Sequence, residues 1–90
     1  MGGGKKYAYN FIFYGIIIMM FLLDKEHNPP HIHAFYGEQE ASFKIETGEI
    51  LNGSFPRNGK RLVKEFVLHY KVELLEMWNT GVYSKLPPLK

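Results

Sequence analysis

The clearest apolar period in the chain is helical. From about Lys60 to Asn79, the residues Val63, Phe66, Val67, Tyr70, Leu74, Met77 and Trp78 recur mostly three or four apart, with Lys64, Glu65, Lys71, Glu73 and Glu76 between them. At 3.6 residues per turn those apolar positions make one stripe, so the segment predicts a long amphipathic helix that must bury it. Gly81 stands where a helix needs a left-handed residue to stop. Ser54 with Pro56 is the kind of pair that opens one. Upstream the period drops to two. In "EASFKIE", residues 40–46, Ala41, Phe43 and Ile45 face one way and Ser42, Lys44 and Glu46 the other, the pattern of a half-buried antiparallel strand. A strand from His31 to Tyr36 is expected before it, joined by "GEQ", and a short one around Glu49 to Leu51 after the turn "TGE".

The densest apolar run, Phe11 to Leu23, exceeds one comfortable strand. Gly15 marks a bulge or bend inside it, which places the main strand at about Ile16 to Leu23. With Lys5 and Lys6 ahead of it, the stretch 7–23 also has the outline of a signal peptide or a short membrane span. Its length, its Asn10 and Gly15, and its passage straight into Asp24, Lys25 and Glu26 without a small-residue cleavage site argue against both. One or two buried strands account for the same density of Ile, Phe and Tyr. Residues 1–6 read as a flexible leader and 7–90 as a single domain. The expected architecture is α+β: a three- to four-stranded antiparallel β-meander packed on one face by a long C-terminal helix. Such a sheet leaves an edge or an open face for a partner strand or a second copy of the chain. The proline-stiffened tail offers Leu86 and Leu89 to the core or to a partner.

Composition narrows the chemistry. Ninety residues, 46% of them hydrophobic, are enough for one core and lie well away from disordered compositions. Without cysteine there is no disulfide or thiolate site, which favours the cytoplasm, and any divalent metal would need histidine and carboxylate ligands. A net charge of +2 is too small to argue nucleic-acid binding from the total. Placement is more informative. Arg57, Lys60 and Arg61 cluster where the helix begins, where free amide groups attract phosphate, and Phe55 is a candidate to stack on a base. A solvated basic loop is the plainer reading of the same residues.

The sharpest local feature is "HNPPHIH", residues 27–33. Alternation puts His31, His33 and Phe35 on one face of their strand and Ile32, Ala34 and Tyr36 on the other, which should meet the helix. His31 and His33 then look outward beside Lys44 or Glu46, with His27 folded back across Pro29-Pro30. Three readings stay open. The histidines could hold zinc or nickel with a carboxylate such as Glu40. Two of them could act as general base and general acid, as in metal-free cleavage of RNA at the 2′-hydroxyl. Or they hydrogen-bond their surroundings to fix a proline turn, His31 above all, because it follows the prolines directly. His69 reads as an ordinary helix-surface residue.

Taken together, these residues resemble the DUF4160 family of small bacterial proteins. The resemblance runs from about Phe11 to Leu89. Its most specific mark is His27, Pro29, Pro30, His31, His33 and Ala34 followed by Tyr36 and Gly37. The Phe-Tyr-Gly-Ile stretch at Phe13 to Ile16 and the helix end at Leu74 to Trp78 add to it. Asn58 and Gly59 interrupt the basic pair usual after the proline. The resemblance implies a small cytoplasmic protein often paired with a DUF2442 protein. It implies the toxin-like member of a type II toxin–antitoxin module with no membrane segment; from that we expect action on RNA or the translation machinery, the alternatives being a non-enzymatic protein-interaction module or a metal-binding protein that uses the same histidines. It assigns no activity to the histidines.

Overall fold

Period-two alternation carries through into five strands, and the helical period into two helices. In the computed structural model, which describes residues 8–21 and 28–86, these are β1 (Ala8–Phe13), β2 (Ile16–Phe21), β3 (His31–Tyr36), β4 (Gln39–Lys44), β5 (Ile50–Gly53), α1 (Arg57–His69) and α2 (Lys71–Thr80). The strands form one antiparallel sheet in chain order. The fold is therefore α+β, with one strand more than the meander expected from sequence.

The extra strand comes from the apolar run. Gly15 does not mark a bulge within a long strand. It is the second residue of a two-residue hairpin turn, with Tyr14 at φ 54 and Gly15 at φ 77, and Phe13 faces Ile16 across the pair. Two positive φ values give the turn whose twist matches that of the flanking strands. The described part of the apolar stretch is thus a hairpin, and no helix among the described residues is long and apolar enough to cross a membrane. Leu22, Leu23 and Leu89 lie outside the described residues.

One face of the sheet is closed by the helices. Ile16, Ile18, Met20, Ile32, Ala34, Ala41, Phe43 and Ile45 meet all seven residues of the helical stripe in one buried core. Phe66 sits among Phe11, Phe13 and Tyr70, with ring centroids 5.0, 5.3 and 5.0 Å away. Burying each large apolar side chain contributes about 1.5–3 kcal/mol, so this face carries most of the stability.

The single helix expected over 60–79 is in fact two. Tyr70, at φ −104 and ψ 22, ends α1 and begins α2, yet its carbonyl still accepts the Leu74 amide at 2.8 Å. A sheet twists, and the break keeps both halves of the stripe against it. Burial there pushes the Tyr70 phenol up, with the Glu73 carboxylate adding to the shift. At its start α1 takes Pro56 as N-cap without any side-chain cap, so Ser54 does not perform the capping its sequence position suggests. Gly81 ends α2 as expected, at φ 74 with its amide donating to Met77 O. Beyond it Leu86 is buried in the core, and the Tyr83 hydroxyl donates to Met20 O at 3.2 Å.

Candidate functional site

The other face of the sheet has no covering layer among the described residues, and strand register arranges it in rows. Asn10, Met19, His33, Ser42 and Asn52 lie side by side across all five strands, and Ile12, Ile17, Phe35 and Glu40 form the next row across four. A bulge makes the first row possible. Ser42 pairs with Asn52 while Phe43 pairs with Ile50, which leaves Leu51 as the extra residue of β5. Gly53 then faces Ala41, so close to the β4 backbone that a Cβ would lie 2.4 Å from Glu40 O. Only glycine fits such an approach, and its φ of 86 is one that other residues avoid.

His33, Glu40, Ser42 and Asn52 line a shallow hollow of about 390 Å³ on this face, floored by Ala41 and Gly53. An imidazole, a carboxylate, a hydroxyl and an amide in one concavity can bind a polar group or move a proton. His33 is half-buried, with its ring 4.9 Å edge-on from Phe21 and 5.1 Å from His31.

His31 differs. Alternation places it on the outer face opposite Lys44, as expected, but it does not look out into solvent: it is only 9% exposed. Its ring packs 5.1 Å from that of Trp78, and Nδ1 lies 2.8 Å from Pro29 O. A carbonyl can only accept, so Nδ1 carries a proton in this contact. His31 therefore anchors the proline turn to the end of the helix, while His33 is the histidine that lines the hollow. His27 lies outside the described residues. Among those described, no three of His, Asp and Glu approach closely enough to hold a metal ion. His69 is exposed on α1, as expected, with its ring against Tyr70.

The basic residues divide as well. Arg57, Lys60 and Arg61 are all exposed on the first turns of α1. Arg61 pairs with Glu65 at 3.4 Å, and further along the helix Lys64 pairs with Glu49 at 2.7 Å. The Lys64 hydrogen bond and charge hold the Glu49 carboxyl below its ordinary range. Phe55 is not available to stack on a base. It is buried in the core, edge-on to Phe43 at 5.7 Å, because the chain must turn inward there to start the helix.

Sequence patterning found His33 and the outward direction of Ser42. Asn52 was hidden by the bulge, which alternation counted from Glu49 does not foresee.

No curated protein and no solved structure matches the chain. The family model described as "Domain of unknown function (DUF4160)" matches residues 15–79, from the hairpin glycine almost to the end of α2. That span holds β2 to β5, both helices and the lining of the hollow, and on its strength this chain belongs to the DUF4160 family.

Proposed function

We propose that this protein is the toxin-like member of a type II toxin–antitoxin pair, working in the bacterial cytoplasm on RNA or the translation machinery. In this reading a small DUF2442-like partner neutralises it by docking on the outer face of the sheet. What supports the reading is the asymmetry of that sheet. The helices close one face, while the other presents Ile12 at 69% and Ile17 at 42% exposure beside half-buried Met19, Phe21 and Phe35. Single exposed apolar residues are ordinary on a protein surface, but neighbours in adjoining rows form the kind of patch that marks an interaction site. His33, Glu40, Ser42 and Asn52 then supply the hydrogen bonds that give such a patch its specificity. No catalytic step is required, because occupying a target is enough to inhibit it.

Expression of the chain alone and with a DUF2442-like protein tests this directly, scored for growth and for co-purification. The expected result is slowed growth that the partner relieves, with the two proteins purifying together. A chain that neither slows growth nor retains the partner removes the reading.

A further inference from the structure

The sheet has two edges, and only one is built to stay single. β5 is four residues long and is interrupted by the bulge at Leu51. Short length and a bulge are among the devices that keep other strands from pairing with an edge. β1 has neither. It runs Ala8–Phe13 as AYNFIF, without charge, proline or bulge, and pairs in unbroken register with β2, its one neighbour among the described residues. The backbone groups along its free side are a template for another strand.

Register says which groups those are. Phe13 and Ile16 flank the two-residue turn and exchange both backbone hydrogen bonds. In an antiparallel pair such residues alternate with pairs that exchange none. Phe11 therefore bonds Ile18 and Tyr9 bonds Met20, while Ala8, Asn10 and Ile12 direct their N–H and C=O groups away from β2. Asn10 and Ile12 are exposed, Ile12 at 69%. Phe11 packs on Phe66 and Tyr70 yet stays half-buried, so the core reaches this edge and is open there.

We infer that β1 pairs antiparallel with β1 of a second copy of this chain, Asn10 facing Asn10 across a two-fold axis perpendicular to the sheet. Such an axis leaves the helices of both copies on the same side, so each residue faces one that points to the same face of its own strand. Centred on Asn10, the pairing joins Asn10 to Asn10 and Ala8 to Ile12, and every outward residue is used. Centred on Phe11, it would join Asn10 to Ile12 and leave Ala8 without a partner in the strand. A second copy also suits the chemistry. The Asn10 amide carries donors and an acceptor and is complementary to itself, and an uncharged strand meets no like charge in its copy, whereas it offers a foreign strand no charge to select it. The row of Asn10, Met19, His33, Ser42 and Asn52 then runs on into the second copy without being covered. The inference is thus independent of the partner docking on the outer face.

Sedimentation of the full chain, with Asn10→Asp and Asn10→Lys beside the wild type, is the test. The wild type should have twice the mass of one chain. Each variant alone sets like charges face to face and should self-associate about a hundredfold or more weakly, while an equal mixture of the two should recover the dimer. Melting transitions close to that of the wild type show that the variants fold. Amide hydrogen exchange of the wild type needs no variant and decides alone if either does not fold. Asn10 and Ile12 should be protected like Phe11 and Phe13 in the dimer and lose that protection on dilution. A wild type that stays monomeric overturns the inference. So does a dimer that both variants leave intact, which would place the interface elsewhere, and so does a mixture that fails to reassociate, which would remove Asn10 from the axis. Protection of Asn10 and Ile12 that appears only when the proposed DUF2442-like partner is added would give the edge to that partner and overturn the self-pairing.

Discussion

The two faces of the sheet are built from the same strands and obey different rules. In β3, Ile32 and Ala34 are wholly buried under the helices, while His33 and Phe35, alternating with them, stay partly open. The covered face is apolar throughout and fixed by packing, since each side chain there fills space left by others. On the outer face a polar row adjoins an apolar one, and packing within the chain explains neither. A surface whose composition the fold does not require is where function is expected to show. His31 is the instructive exception. It belongs to the outer face by alternation, yet Trp78 and Pro29 O draw it into the structural set.

The sharpest way to break the comparison is at its buried centre. Phe66→Ala removes a ring in contact with three others and should cost about 3–5 kcal/mol in urea unfolding. A loss below about 1 kcal/mol would mean that the covered face is not the packed one. The two histidines should then separate. His31→Ala loses a buried hydrogen bond and a ring contact, for a cost of about 1–3 kcal/mol. His33→Ala should stay within about 1 kcal/mol, near the range of surface positions. Parallel thermal melts measure both, and equal losses would erase the distinction drawn between them.

The smallest effect concerns the exposed pair Lys64–Glu49. Its folded carboxyl titrates below the unfolded value, so its contribution is fully present above the ordinary carboxylate range and is lost as pH falls through the folded value. Lys64→Met should move the Glu49 titration back up, as followed by carboxyl-carbon NMR, with little change in stability because exposed pairs contribute little. An unmoved titration would show that Lys64 is not its cause.

Much of the covered face was legible in advance. All seven stripe residues from Val63 to Trp78 are buried, and β3 has the bounds its alternation suggested. What sequence concealed was local geometry. Tyr14 gives no turn signal, so only the glycine of the hairpin was visible. The break at Tyr70 has no glycine or proline to announce it. Phe55 could be read as a stacking residue because it sits between turn residues, and only the helix start shows why it turns inward. On the outer face His33 stood out by residue type, but the row through Ser42 and Asn52 depends on register across a bulge.

Ile17→Lys offers the most direct test that the outer face is the docking surface. Ile17 lies on β2 in the middle of the apolar row, between Ile12 and Phe35. The variant should keep its melting transition apart from a β-propensity loss of no more than about 1 kcal/mol, and it should fail to co-purify with the proposed DUF2442-like partner. A folded Ile17→Lys protein that retains the partner as the wild type does would contradict the assignment.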